Sequence, residues 1–413
     1  MKKLTGLLLG VAIAGLSATA SFADTIKIAF IDPLSGPFAA TGQQGLAQYE
    51  FAVAELVNKN GGVLGKEFEI VAFDNKISPK ESLIQLQVAI DQGIRFIAQG
   101  NSSGVANALT EAIAKHNKRN PDDRVIFLNY SAVDPALTND KCNFWHFRFD
   151  ANADIKMDAM TDIIAADDSV KKVYIIGQDY SFGKAVAAAA VKMLGEKRPD
   201  IEIVGNELHP IGKVKDFTPY ARKIMSSGAD AMITGNWGAD MVGLGKAVIS
   251  AGYENPIYTY YAASDGITKT FGDDGKGKVK LVGEGQINPP ASDRASAYVE
   301  AFKAKNPDLD VAQPRIANVI EMLAKAIDKA GSDTDMVAIG KALEGMEHES
   351  IWGTTVLMRA QDHQAIQNVH IQAHTNEGVA HDYDNSGFGM VVESTVEMAS
   401  ADIPTTCRME RPE

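Results

Sequence analysis

Apolar segments typical of strands alternate with amphipathic, helix-like segments from Thr25 to Tyr130, and this alternation constrains the fold more than any other feature. The segments "TIKIAFI", "FEIVAFD", "IRFIA" and "VIFLNY" indicate strands, and a segment with helical periodicity follows each of the first three. Strands that alternate with helices form parallel sheets covered on both faces. The sequence therefore predicts an α/β fold with a doubly wound parallel sheet.

The same pattern begins again after Asp150. The segments "KKVYIIGQD", "IEIVGNEL", "ADAMITGN" and "PIYTYYA" indicate four further strands separated by helices. Three amphipathic helices follow, predicted at residues 295–305, 316–329 and 336–343. A chain of 413 residues is long enough for two cores. We therefore expect two α/β lobes joined by short crossings.

The first 23 residues have the pattern of a cleaved signal peptide. Lys2 and Lys3 precede an apolar core, and small residues stand at Ser21 and Ala23, the positions that signal peptidase requires. An uncleaved membrane anchor is the alternative, but the apolar run is short for a membrane span. No cysteine lies near the cleavage site, which argues against a lipid anchor. We expect cleavage after Ala23 and a protein free in a periplasm.

Charge and motifs exclude several classes of function. The formal net charge is −13, and removing two lysines with the leader makes it −15, which argues against nucleic acid and anionic membranes as partners. The motifs of serine hydrolases, P-loop proteins and zinc proteases do not occur. His370 and His374 have metal-ligand spacing, but they fall in a strand-like segment. We expect no enzyme activity, cofactor or metal.

The stretch "IAQGNSSGV", residues 97–105, places two hydroxyls where a buried strand passes into a helix. Ligands of open parallel sheets bind beyond the carboxyl ends of the strands, where helix N-termini present unpaired N–H groups. Ser102 or Ser103 could hold a small anion such as a carboxylate there. A plain helix cap without a ligand is the alternative. Trp237 also follows a strand between glycines, where either packing or ligand contact would explain it.

The chain resembles the branched-chain amino-acid (leucine/isoleucine/valine) binding proteins, which are type I periplasmic solute-binding components of ABC importers. The resemblance rests on residues 26–75, with the "SGP" turn, "NKNGGVLG" and "DNKISP". "DPALT" at Asp134–Thr138 and "DYSFG" at Asp179–Gly183 extend it. It implies two lobes that are joined by three crossings and close on a ligand. We expect one lobe from residues 24–148 plus 288–350 and the other from 149–287 plus 351–413.

The resemblance also implies a ligand site in the cleft between the lobes. It assigns the ligand carboxylate to the loop of Ser102 and Ser103, and the ligand ammonium to Asp265. The remaining predicted ligand-binding residues come from the loops that follow other strands: Ser131, Ala132, Tyr180, Phe182, Asn236 and Trp237.

The ligand itself stays open at this point. Val133 stands where the family has a hydroxyl residue, and Thr41 stands where it has a tryptophan. A branched-chain or similar amino acid is the family's usual ligand and agrees with an acceptor at Asp265. The aromatic residues of the predicted site, with Tyr260 and Tyr261, would also suit an aromatic carboxylate.

Two further expectations concern the role and the cysteines. The resemblance implies a monomeric, non-catalytic receptor that delivers a small molecule to a membrane permease and its ATPase; a periplasmic sensor and a periplasmic enzyme are the alternatives. Cys142 and Cys407 are the only cysteines. An oxidising periplasm favours a disulfide between them, with two free thiols as the alternative.

Overall fold

The computed structural model describes residues 25–412, so the predicted signal peptide, residues 1–23, lies outside the described part of the chain. The first sheet is built from the early strands and is interleaved with three helices. These elements are β1 (Ile26–Asp32), α1 (Ala39–Ala52), β2 (Phe68–Asp74), α2 (Pro79–Asp91), β3 (Phe96–Gln99), α3 (Ser103–Arg119), β4 (Ile126–Asn129) and β5 (His146–Arg148).

The first sheet is entirely parallel, in the order β2-β1-β3-β4-β5. Strands β3, β4 and β5 are buried along their whole length. Helix α2 begins at Pro79 because Ser78 accepts the Glu81 N–H and proline occupies the first helical turn. The doubly wound α/β class predicted from the alternation is confirmed in this sheet.

The second sheet follows the first crossing between lobes, residues 149–152. Its elements are α4 (Ala153–Ala166), β6 (Lys172–Gln178), α5 (Ser181–Lys197), β7 (Glu202–His209), α6 (Thr218–Ser227), β8 (Ala231–Thr234), α7 (Gly238–Ser250), β9 (Ile257–Thr259), α8 (Ile267–Phe271) and β10 (Val279–Gly283). Two late strands, β14 (Val369–Thr375) and β15 (Gly389–Val396), complete the sheet, which has the order β15-β14-β10-β9-β8-β6-β7. It is parallel except at β14 and β15, two late strands that pair antiparallel.

The late elements return to the first core before they reach the second sheet. They are α9 (Asp293–Lys305), α10 (Arg315–Ala330), α11 (Met336–Leu343), β11 (Glu347–Glu349), β12 (Thr355–Met358), β13 (Ala365–Ile366), β14 (Val369–Thr375), β15 (Gly389–Val396) and α12 (Met398–Ala401). Helices α10 and α11 pack in one apolar cluster with β1, β3 and β4. Three crossings therefore run between the sheets, at residues 149–152, 284–292 and 367–368.

The boundary predicted at residue 350 is too early. Val356, Met358 and Ala365 belong to the first apolar cluster, although the sequence analysis assigned residues 351–413 to the second lobe. The small antiparallel sheet β11-β12-β13 carries these side chains and covers the first core. We therefore propose a last boundary near Ile366, because Ala365 is buried in the first apolar cluster and Ile366 in the cluster of the second lobe.

Residues 405–411, near the C-terminal end, also pack on the first lobe, whereas residues 398–403 pack on the second, where the sequence analysis had placed the whole segment. Cys407 forms the predicted disulfide with Cys142, with Cα atoms 5.8 Å apart. Beside it, the Thr405 hydroxyl donates to the Thr138 carbonyl. Arg411 donates to the Glu344 carboxylate further along the segment. The disulfide thus fastens the end of the chain to the loop that precedes β5.

The lobes touch across the mouth of the cleft through Phe38. This side chain precedes α1 of the first lobe, is 2% exposed, and lies against Trp237 of the second lobe with ring centroids 4.3 Å apart. Gly212 and Gly238 make room for it, since a Cβ at either position would lie 2.8 Å from the Phe38 ring. The structure therefore shows the lobes in contact. Within residues 25–412 no helix is both long and apolar enough to span a membrane.

Replacing Phe38 by alanine should shift the lobes towards an open arrangement. The change removes a buried aromatic pair worth about 2 kcal/mol, which corresponds to roughly a thirtyfold loss of affinity for a ligand that binds the closed form. Small-angle scattering should show a larger radius of gyration in the variant. Val191→Ala, at an exposed apolar position, serves as the control, and an unchanged radius in Phe38→Ala would contradict the expectation.

Candidate functional site

The largest set of predicted site residues meets in one cavity between the lobes. The cavity encloses about 890 Å³ with its mouth included, and it lies at the carboxyl ends of the strands of both sheets. Parallel α/β sheets bind ligands at this edge. The predicted residues that line it are Ser102, Ser103, Ser131, Ala132, Tyr180, Phe182, Trp237 and Asp265.

Asn236 is the predicted site residue that does not line the cavity. It is fully buried, and its Oδ1 lies 3.0 Å from Nε2 of His209. The loop after β8 turns so that Trp237, the next residue, faces the cleft. The prediction placed both neighbours at the ligand because the sequence alone does not determine which way a side chain points in a loop.

The hydroxyl of Ser102 does not act as a helix cap. Ser102 precedes α3 with φ at 82°, and its side chain accepts no hydrogen bond from the first turn of the helix. The first N–H groups of a helix have no partners within it. Ser103, by contrast, accepts the Asp134 N–H at 3.2 Å. Of the two serines, Ser102 keeps its hydroxyl for a bound group, beside a helix N-terminus that favours an anion.

Gly100 brings the Ser102 loop close to the loop after β4. A Cβ at this position would lie 2.6 Å from the Tyr130 ring and 2.8 Å from the Ser131 Cβ. Behind these loops, the Asn129 side chain accepts the N–H groups of Ser131 and Ala132, at 3.2 and 2.7 Å. The Ala132 N–H is therefore already bonded, and Ala132 offers the cavity an apolar surface instead of a donor.

Asp265 faces the cleft from the second lobe and contacts the first. Its Oδ2 accepts the Thr41 hydroxyl at 2.5 Å, and its Oδ1 accepts the Gln44 amide at 3.4 Å. Burial raises the pKa of Asp265 to about 6; the Thr41 hydroxyl opposes this, and Asp384 and Asp310 add to it. At neutral pH the side chain is a carboxylate that a cation would stabilise. The sequence analysis noted Thr41 only as a departure from the family pattern.

Replacing Asp265 by asparagine should stabilise the protein at pH 7 and have little effect at pH 4. The folded-state pKa is raised above the unfolded value of 3.8. The carboxyl group therefore opposes folding increasingly as pH rises from about 4 to 6, and asparagine removes that effect. Thermal unfolding of both proteins between pH 4 and 8 measures it. A difference in melting temperature that does not change with pH would contradict the raised pKa.

Aromatic side chains of the second lobe form one wall of the cavity. The Phe182 ring centroid lies 5.4 Å from that of Tyr260 and 6.0 Å from those of Tyr261 and Tyr180. The hydroxyls of these tyrosines are engaged: Tyr260 donates to the Ala153 carbonyl, and Tyr180 accepts the Trp237 indole N–H. The wall therefore presents ring faces and edges to a ligand.

Four buried ionisable residues form the floor of the cleft, where the crossings meet. The Lys156 ammonium lies 2.6 Å from Asp150 Oδ1 and 3.5 Å from Glu284 Oε1. Arg315, the first residue of α10, lies 3.2 Å from Asp150 and 3.4 Å from Glu284. Neither this cluster nor Gln44 was predicted from the sequence. The available signals were an acid, Glu284, directly after a strand and an arginine, Arg315, at the start of an apolar helix.

The floor cluster perturbs the ionisation of its acids. Burial raises the pKa of Asp150 to about 8, with Arg315 and Lys156 opposing and Glu284 adding to the shift. Burial also disfavours the charged form of Glu284, but Lys156, a hydrogen bond with Asp150, and Arg315 together hold its pKa well below the usual range. Burial thus favours the neutral form of Asp150, whereas the neighbouring cations favour the ionised form of Glu284.

Two α/β lobes with a ligand-sized cavity between them define a two-lobe binding protein. A family model described as periplasmic binding protein matches residues 25–378, and the chain belongs to that family. It is 31% identical to the Brucella melitensis protein named Leu/Ile/Val-binding protein homolog 4, over 98% of each chain. The resemblance to leucine/isoleucine/valine-binding proteins is confirmed.

Solved structures show the same architecture. The closed conformation of a Brucella ovis leucine-, isoleucine-, valine-, threonine- and alanine-binding protein superposes with a TM-score of 0.82 at 29% identity, covering 94% of this chain and all of that one. A Rhodopseudomonas palustris solute-binding protein in complex with p-hydroxybenzoic acid gives a TM-score of 0.74 at 20% identity, covering 91% of this chain and 98% of that one. The second likeness concerns the fold alone.

Proposed function

We propose that this protein is the exported receptor of an ABC importer and that it binds a small carboxylate-bearing solute between its lobes. The leader pattern supports cleavage after Ala23 and release into the periplasm. The receptor delivers the solute to a membrane permease and its ATPase, and it acts as a monomer without catalysis.

The observation that carries the proposal is the unused hydroxyl of Ser102 at the N-terminus of α3. A carboxylate there gains the hydroxyl, the N–H groups of the first turn and the favourable end of the helix dipole. Charge-assisted hydrogen bonds of this kind are among the stronger polar contacts in proteins. The closed cleft shields them from water, which strengthens the electrostatic attraction.

An α-amino acid is the first candidate for the solute. Asp265 supplies an acceptor for the ammonium group. It contacts the first lobe, which also carries Ser102, through hydrogen bonds from Thr41 and Gln44 of α1. The names of the relatives point to leucine, isoleucine and valine. In this arrangement the ligand ammonium also relieves the electrostatic cost of holding the Asp265 carboxylate in a partly buried place.

An aromatic carboxylate is the second candidate, and the ring wall favours it. Tyr180, Phe182, Tyr260 and Tyr261 form a continuous aromatic surface on one side of the cavity. Flat acids would stack on such a surface. They lack an ammonium group, so Asp265 would have no cationic partner in this case.

A solute screen tests the proposal. Thermal unfolding is measured with leucine, isoleucine and valine in one set and with benzoate and 4-hydroxybenzoate in another. A ligand at one hundred times its Kd stabilises by about 2.7 kcal/mol. A shift with the amino acids supports the first candidate and one with the aromatic acids alone supports the second. If no small carboxylate raises the melting temperature, the proposal is wrong.

The transport role has its own test. Crosslinking in membranes that contain the partner proteins separates an importer from a sensor, because the receptor of an importer contacts a permease. Capture of a chemoreceptor or a kinase in place of a permease would contradict the importer role while leaving the solute site intact.

A further inference from the structure

Arg315 has unused hydrogen-bond donors in the cavity. A guanidinium has five N–H groups. Three of them donate within the protein: Nε to the Tyr130 carbonyl at 2.5 Å, Nη2 to the Ser131 hydroxyl at 2.8 Å, and Nη1 to Glu284 at 3.4 Å. The other two, one on each terminal nitrogen, have no acceptor among residues 25–412. Arg315 lines the cavity and is only 4% exposed, so bulk water has little access to these two donors.

Two neighbours of Arg315 are also incompletely paired. The Ser131 hydroxyl accepts from Arg315, and its own hydrogen has no acceptor within the described chain. The side-chain Oε1 of Gln313 is buried without a partner, although the Gln313 backbone is held by Gln48. Both residues line the same cavity. Buried polar groups are normally satisfied, and those that are not call for an explanation.

The polar groups of Arg315 and Ser131 lie beside the proposed carboxylate site at Ser102 and are not part of it. Across the first sheet the neighbouring strands are β1, β3 and β4. Helix α1 after β1 contacts Asp265, the loop after β3 holds Ser102, and the loop after β4 holds Ser131 against Arg315. The cavity thus offers, in order, the acceptor Asp265, the anion site at Ser102, and a second set of donors on Ser131 and Arg315.

We propose that the solute bears a second oxygen acceptor besides its carboxylate, and that Arg315 and Ser131 bind it. This inference rests on the proposed function and narrows it. It favours amino acids with an oxygen-bearing side chain over leucine, isoleucine and valine, and hydroxylated or dicarboxylic aromatic acids over benzoate. A carboxylate is the strongest form of the second group, because guanidinium–carboxylate pairs combine charge with matched geometry.

The charge of the floor agrees with an acceptor that carries negative charge. Two cationic side chains, Lys156 and Arg315, lie there beside Asp150 and Glu284. Burial favours the neutral form of Asp150 by raising its pKa to about 8. The competing explanation is that the cluster only braces the crossings, in which case the polarity of the solute's far end would not affect binding.

Matched pairs of probes test the inference by calorimetry. The pairs are glutamate against leucine and terephthalate against benzoate. In the wild-type protein we expect the second oxygen group to tighten binding at least tenfold in one pair. Ser131→Ala and Arg315→Lys should each reduce this advantage at least threefold, where the advantage is the ratio of the two dissociation constants measured in the same variant. Arg294→Lys, at an exposed ion pair, is the control and should preserve the advantage.

The possible outcomes separate the inference from the proposed function. Equal affinity of the two members of both pairs overturns the inference and leaves a carboxylate receptor. An advantage that persists in both variants also overturns it, because the second group then binds elsewhere. Failure of every small carboxylate to bind rejects the proposed function itself. If Arg315→Lys does not fold, Ser131→Ala decides, since it removes only a hydroxyl.

Discussion

Replacing Lys156 by methionine should lower the free energy of unfolding by about 3–5 kcal/mol. The Lys156 side chain is 1% exposed, and it pairs with Asp150 and Glu284, which are as deeply buried. Its removal leaves two acids against the single positive charge of Arg315. Removing one partner from a buried ion network lowers the stability far more than removing an exposed ion pair, because the charge left behind stays out of water.

The effect of Lys156→Met is measured by urea unfolding, with two companion variants. Lys184→Met removes an ammonium from an exposed pair with Asp179 and should change the stability by less than about 1 kcal/mol. Lys156→Met combined with Glu284→Gln removes one charge of each sign and should recover more than half of the loss. A single variant within about 1 kcal/mol of the wild type would show that the cluster is not coupled as described.

Replacing Cys142 and Cys407 together by serine should cost roughly 4 kcal/mol. The bond joins residues 265 positions apart, so in the chain-entropy model it restricts the unfolded chain strongly. It also holds the segment from Thr405 to Arg411 against the first lobe. Both effects favour the folded state.

The disulfide prediction is checked by the urea midpoint of the double variant, of the wild type, and of the wild type with reductant. The last should behave like the variant. Identical midpoints for the variant and the untreated wild type would contradict a stabilising bond. Titration of free thiols in the denatured, unreduced protein is the independent control, and it should find none.

Much of the fold follows from local patterns in the sequence. The start of α2 is determined by Ser78 and Pro79, which act within one helical turn. The buried strands are continuous apolar runs that parallel sheets require. The last boundary was misplaced because β12 has alternating burial, with Val356 and Met358 buried. Such a strand fits either lobe, and only the tertiary packing decides which core its apolar face covers.

The site residues that directly follow a strand could be predicted from the sequence. Those that come together from distant segments of the chain could not. Ser102 follows β3 directly, so its position beyond the sheet edge could be expected. Glu284 and Arg315 meet only because the second crossing passes the start of α10, and no local pattern reports that. The distinction between Ser102 and Ser103 depends on the backbone angle at Ser102 and on the N–H of Asp134. Neither is visible in the sequence.

The most direct test of the account compares Ser102→Ala with Ser103→Ala in calorimetric titrations of the best solute from the screen. The serines are neighbours and line the same cavity, but the Ser103 hydroxyl is occupied by Asp134. We expect Ser102→Ala to weaken binding at least tenfold, about 1.4 kcal/mol or more, and Ser103→Ala to retain affinity within threefold. Wild-type affinity in Ser102→Ala would contradict a carboxylate bound at the N-terminus of α3.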